Sequence, residues 1–209
     1  MLLYYITERK QFPGGEAEQR RRLLEKIGEV AAAGVDYIQL RERDLTGREL
    51  EKLAGEVIAV VKSATTTARL LINSRTDVAL ACGADGVHLR SDDVTAADAR
   101  AIAGGRKDFI VSVACHTVEE VKLAWSHGAD FAVFAPVFEK DDRPGSGLHA
   151  LRQACAVTPN FVIAMGGVTA ENSNLCRKAS AVGVAGIRLF QRSDARQLMS
   201  LLKRFQNRN

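Results

Sequence analysis

Three residues on alternate positions of "IQLRERD", Gln39, Arg41 and Arg43, would project from one face of an extended strand while Ile38 and Leu40 project from the other. The apolar face suits a covering layer of helices, so the polar row is expected to point inward. A buried amide with two guanidinium groups is costly unless anions meet it, supplied by a phosphorylated ligand or by acids of the chain in an internal ion-pair network. Other candidates lie further along. The loop "APVFEKDDRPGSG" carries Lys140 and Arg143 and has the composition of a lid over phosphate or of a solvated surface loop. Gly166 and Gly167 in "AMGGVT" precede a helical stretch and offer backbone N–H groups to an anion. Arg188 in "AGIRLF" adds a cation, and Asn73-Ser74 and the tip "RSDD", ending at Asp93, close two apolar runs. His116 in "SVACHT" is an acid/base candidate, since an ordinary His titrates near neutrality; the alternative is a helix-capping or loop residue. His88 has no second His or Cys at ligand spacing and reads as a hydrogen-bonded interior residue. As a ring, these residues suit a substrate with two phosphate-bearing ends.

What positions such a ring is an alternation of short β-branched runs with amphipathic stretches. Strands are expected at Leu2–Thr7, Tyr37–Arg41, Leu70–Asn73, Gly86–Leu89, Phe109–Ala114, Phe131–Ala135, Phe161–Met165 and Gly186–Leu189, each followed by a helical pattern. Thr46, Thr95, Thr117 and Thr169 precede helical runs as N-cap residues do. A phrase recurs, "AAAGVDYIQL", "ACGADGVHL", "SHGADFAVF", "AVGVAGIRL": a small-residue helix end, a Gly that caps it, then a strand. Repeated right-handed strand–helix units close most economically into a single-domain (β/α)8 TIM barrel over residues 1–209, with its site where the strands end. An open doubly wound sheet would favour a Gly-rich phosphate loop after the first strand, and "ITERKQFPGGE" holds no G-x-G-x-x-G.

Composition narrows the classes. Apolar runs such as "FVIAMGGV" are too short to span a bilayer and "MLLYYITERK" reads as a strand, so a cytoplasmic protein without a membrane partner is expected. The net charge of +4 comes partly from "QRRRLLEK" and "LLKRFQNRN", where no aromatic residues interleave; these read as solvated helix faces, with no nucleic-acid partner. Cys82, Cys115, Cys155 and Cys176 are scattered singly and read as reduced core thiols. Barrels often associate, and the sequence leaves a homo-oligomer open without deciding the oligomeric state.

The chain resembles the thiamine phosphate synthase family, which includes the related thiazole tautomerase. The resemblance rests on "YYITER", "GVDYIQLRERD", "LLINSRTDVALACGADGVHL", "HTVEEVKLAWSHGADFAVFAPVF", "GLHAL" and "IAMGGVTAEN", and covers almost the whole length. It implies a (β/α)8 barrel that joins a hydroxymethylpyrimidine diphosphate to a thiazole phosphate and releases pyrophosphate, with Mg2+ as cofactor. Gln39 matches the residue that holds the pyrimidine, and Arg41 and Arg43 match diphosphate cations. Asn73 also matches. Asp93 matches a magnesium carboxylate, Arg143 a lid Lys, and Gly166 and Gly167 the thiazole-phosphate cup.

Four positions depart from that pattern: Ser74 stands where a second magnesium Asp is usual, Ala114 where a diphosphate-binding Ser is usual, and Arg90 and Arg188 where smaller residues are usual. A neutral hydroxyl holds magnesium more weakly than a carboxylate. Asp92 would compensate only if turned inward, and Arg90 would either stand in for metal charge or block the site. Three functions fit this set. The first is the synthase, the second an isomerase like the tautomerase using His116 as acid/base, and the third a non-catalytic binder of phosphorylated thiamine precursors.

Overall fold

Three of the four recurring phrases end their helix on a glycine in the left-handed region, Gly34 at φ 95°, Gly83 at φ 71° and Gly128 at φ 76°. Just ahead of the fourth, Ser180 takes that conformation at φ 72°. Gly183, expected to cap the helix, is instead the first residue of a strand. The last strand therefore runs three residues earlier than its β-branched content suggests.

The computed structural model describes residues 1–64, 67–139, 144–158 and 161–206, with backbone alone for 203–206. It is a closed parallel barrel in sequence order. The strands are β1 (Leu2–Ile6), β2 (Tyr37–Leu40), β3 (Arg69–Asn73), β4 (Gly86–Leu89), β5 (Ile110–Cys115), β6 (Phe131–Phe134), β7 (Val162–Ala164) and β8 (Gly183–Gly186). Around them lie α1 (Glu16–Ala33), α2 (Gly47–Ala64), α3 (Thr76–Cys82), α4 (Ala96–Ile102), α5 (Val118–Ser126), α6 (Gly147–Val157), α7 (Ser173–Lys178), α8 (Arg188–Gln191) and α9 (Ala195–Gln206), with a 3-10 turn at Arg9–Gln11. At the closing seam Leu2 pairs with Gly183, where a Cβ would stand 2.5 Å from the Leu2 carbonyl oxygen.

The Asp of each Gly-x-Asp phrase has a fixed task. Asp36 accepts the N–H of Leu3 at 2.8 Å, Asp85 that of Leu70 at 2.8 Å, and Asp130 that of Val111 at 2.7 Å. Each carboxylate, placed just before or at the start of one strand, thus staples the start of the strand before it. The fourth phrase has no Asp, and Val182 bonds the Val162 carbonyl through its backbone alone.

The threonine caps hold with one shift. Thr95 forms a complete capping box with Asp98 at the start of α4, and Thr117 accepts from the Glu120 N–H. Thr46 exchanges bonds with Glu49 ahead of α2. Thr169 does the same with Asn172, bracing the turn that precedes α7 rather than the helix itself. Thr95→Ala is expected to lower stability by about 1 kcal/mol in urea unfolding, the usual worth of such a cap. All four cysteines are free, and among the described residues no helix is long and apolar enough to cross a membrane.

Candidate active site

The barrel interior is floored by polar residues on alternate strand positions. Gln39 points inward as expected and donates to the Tyr4 hydroxyl at 3.1 Å, while Ile38 and Leu40 are buried on the helix side. His88 Nδ1 lies 2.8 Å from the Ser112 hydroxyl, and the Tyr4 ring meets the His88 and Phe131 rings edge-on. Burial, helped by the nearby Arg41 charge, pushes the His88 imidazole down to about 3, so it is neutral near pH 7. Burial likewise raises the Tyr4 phenol, although Gln39 and Ser112 bond to it.

Arg41 stands above this floor at the barrel mouth. Its N–H donates to the Thr7 hydroxyl at 2.9 Å and its guanidinium pairs with Glu8 at 2.9 Å. Arg43 does not extend the row inward: β2 stops at Leu40, and Arg43 lies exposed in the following turn. The residue between them turns in instead. Glu42 is fully buried and meets Arg9, whose side chain is 2% exposed, at 3.0 Å. Arg9 also binds Asp44 at 2.7 Å and Glu16 at 2.9 Å. The internal ion-pair network is therefore real, but it is centred on Arg9 and Glu42. Its signal was the placing of two charged phrases, "TERK" and "RERD", at the exits of neighbouring strands.

A second pole forms where β7 and β8 end. A cavity of about 610 Å³ is lined by Gly166, Gly167, Thr169, Arg188 and Arg192, with Gln11 and Glu139 at its edge. Arg188 reaches it from the first turn of α8 rather than from strand β8, because the strand ends at Gly186. Gly166 and Gly167 adopt φ 91° and φ 65°, and among the described residues nothing accepts from their N–H groups. Asn172 closes the turn by donating to the Gly167 carbonyl at 2.9 Å. Free N–H groups beside two guanidinium groups make an anion cup. In the strand ring β3 and β4 lie opposite β7 and β8, so Asn73, Ser74 and the "RSDD" tip face the cup across the mouth, with Arg41 between.

On that far side Asn73 donates to the Ser74 hydroxyl at 3.0 Å, and Ser74 holds the left-handed φ 61°. Arg90 neither enters the barrel nor replaces metal charge, because its guanidinium pairs with Asp92, both well exposed. Asp92 is thereby turned outward and does not compensate for Ser74. Asp93 accepts the Arg90 N–H at 2.7 Å and lines a crevice of about 90 Å³ beside Ala114 and Glu120. Among the described residues no three His, Cys, Asp or Glu side chains cluster to hold a metal. A single carboxylate suits a magnesium ion shared with substrate phosphates, not a cage built by the protein alone. His116 is exposed just past β5, with Nδ1 2.7 Å from the Ala135 carbonyl and its N–H on Glu120. It is not part of the cup wall. Lys140 and Arg143 lie outside the described residues.

The architecture is a parallel (β/α)8 barrel whose last two strands end in a glycine- and arginine-lined cavity, an arrangement suited to an anionic ligand. A family model described as thiamine monophosphate synthase matches residues 3–190. The chain belongs to that family. It is 39% identical over 191 residues to a putative thiamine-phosphate synthase 2 of Aquifex aeolicus, covering 90% of this chain and 96% of that protein. It is also 39% identical to a thiamine-phosphate synthase of Methanoculleus marisnigri, over 88% of this chain and 85% of that one. Among solved structures, a thiamine phosphate pyrophosphorylase from Pyrococcus furiosus superposes with a TM-score of 0.82 at 28% identity, covering 98% of this chain and 94% of that one.

Proposed function

We propose that this chain is a cytoplasmic thiamine phosphate synthase that joins a hydroxymethylpyrimidine diphosphate to a thiazole phosphate and releases pyrophosphate. The observation that carries this reading is the pair of poles: a cup of Gly166, Gly167 and Arg188 for one phosphate, and Arg41 above the Gln39–Tyr4 floor for the other. In the reaction the C–O bond to the diphosphate breaks, its electron pair leaves with the pyrophosphate, and the thiazole nitrogen attacks the pyrimidine methylene cation. Little proton transfer is needed, so the protein's task is to orient two rings and stabilise a departing anion. Gln39, fixed by Tyr4, orients the pyrimidine with Asn73. Arg41 holds the departing diphosphate, and the family resemblance adds Arg43 and, outside the described residues, Lys140 and Arg143 as further cations. Neutral His88 lines the floor without adding charge.

Asp93 would hold a magnesium ion jointly with the diphosphate, and the ion would supply positive charge to the leaving group. The isomerase reading requires His116 beside a carbon held by the cup, and no observation of the site favours it. Pyrophosphate release by the purified protein, given both precursors with magnesium titrated from zero, tests the proposal. Magnesium-dependent release that falls in Asp93→Ala is expected. Phosphate-ligand affinity without release at any magnesium level would overturn the proposal in favour of a binder.

A further inference from the structure

The segment leaving β1 puts an acid where an anion-binding site would seem to exclude one. Glu8 follows Thr7, and its carboxylate meets the Arg41 guanidinium at 2.9 Å with both side chains about a fifth exposed, 21% and 23%. This is no wandering surface acid. The Glu8 carbonyl accepts from Gln191 Nε2 at 3.1 Å. The next N–H, that of Arg9, donates to both oxygens of buried Glu42 at 3.1 and 3.2 Å. The residue before it, Thr7, is buried and donates to Glu42 at 2.7 Å while accepting from Arg41. Gln191 makes its bond to Glu8 although its own amide oxygen is buried without a partner, a cost the fold retains. The backbone on both sides of Glu8 is thus clamped, and the clamp aims a carboxylate at the arginine proposed for the diphosphate.

A bound pyrophosphate and the Glu8 carboxylate compete for the same guanidinium and repel each other as like charges. Neither side chain is fully buried, so solvent and an incoming anion can reach the guanidinium. We infer that the Glu8 carboxylate displaces pyrophosphate from Arg41, keeping the released product from being retained. The inference rests on the proposed function, since it takes pyrophosphate as the anion at Arg41. Arg41 then alternates between two acidic partners, the product while it is held and Glu8 once it has left.

The test is calorimetric titration of inorganic pyrophosphate into the folded wild-type protein, Glu8→Gln, Arg41→Gln and the double variant, at fixed magnesium and low salt. Glu8→Gln is expected to bind pyrophosphate about tenfold more tightly, because the Arg41 guanidinium no longer has a competing carboxylate partner. Arg41→Gln is expected to bind it more weakly, and the double variant to match Arg41→Gln because the competition has lost its object. Unchanged or weaker binding in Glu8→Gln, with Arg41→Gln still weakened, would overturn the role of Glu8 and leave the synthase reading standing. Equal tightening in both backgrounds would show only a general charge effect and overturn it too. Failure of the wild type itself to bind pyrophosphate would remove the reading of Arg41 and the inference together.

Discussion

Alanine at Gly166 is expected to leave a barrel that no longer holds the phosphate-bearing thiazole. At φ 91° the new Cβ would stand 2.5 Å from Pro136 Cα and 2.6 Å from Pro136 Cβ. Neither backbone can retreat freely. Val137 donates to the Met165 carbonyl at 2.8 Å and Phe138 to the Gly166 carbonyl at 2.9 Å, so the chain after β6 and the cup are laced together. Next door, a Cβ on Gly167 would meet the Glu139 carbonyl oxygen at 2.6 Å. Left-handed strain and the overlap together cost about 2–4 kcal/mol of stability. Relief by shifting the cup by even 1 Å would misplace the phosphate and lower kcat/KM by about 100-fold. Steady-state kinetics with varied thiazole phosphate, alongside thermal unfolding, read both effects. A folded Gly166→Ala protein with wild-type KM would place the phosphate elsewhere.

Glu42→Ala should give the largest loss of stability of any single change at the mouth, about 3 kcal/mol. Removing one partner of a buried ion pair strands the other, which is strongly destabilising. Here the Thr7 hydroxyl, the Arg9 N–H and the Arg9 guanidinium lose their common acceptor, although Asp44 and Glu16 still compensate the Arg9 charge. The pH dependence has a distinctive sign. Burial outweighs the donors around Glu42 and raises its carboxyl above the usual range. Its contribution is therefore fully present below the unfolded-state value and is lost as pH rises through the folded one. Asp44, held well below the usual range by Arg9, contributes in the opposite sense: its stabilisation is present above the unfolded-state value and is lost on acidification through the folded one. Asp44 is 38% exposed, so solvent screens its share. In urea unfolding from pH 3 to 8, the difference in stability between wild type and Glu42→Gln should shift against the wild type as pH rises through the folded Glu42 value. An identical pH profile for the two proteins would reject this account.

The barrel itself was legible because helix-ending glycines, Gly-x-Asp phrases and threonine caps recur at matching places in successive units. The last strand was misplaced because "GIRLF" looks more extended than "GVAG" by local preference, and the closing seam decides otherwise. Small residues are needed where Leu2 passes Gly183, and close backbone approach overrides β-branched content there. The inward row on β2 was legible as far as Gln39 and Arg41, since alternation persists only while the strand does. After Leu40 the chain turns, which exposes Arg43 and buries Glu42. Arg9 was missed for a related reason: an arginine in a charged phrase reads as solvent-facing, and only its three acidic neighbours from other segments make burial tolerable. The cup was legible as a glycine pair before a helical stretch, whereas the outward pairing of Arg90 with Asp92 depends on a loop path that no periodicity records.

The aspartate staples divide the molecule in a way the even ring of strands hides. Asp36 ties the loop before β2 to β1, Asp85 ties the loop before β4 to β3, and Asp130 ties the loop before β6 to β5. Each tie closes a two-strand module through a side chain near the module's own second strand. Among the described residues the fourth pair, β7 with β8, shows no such clasp and is joined by backbone bonds and by its neighbours. The barrel is thus three latched modules and one open quarter, and the open quarter carries the anion cup. A phosphate bound there, as proposed, would supply from outside the cohesion that the other three modules carry in their sequence, so substrate would complete the architecture as well as occupy it.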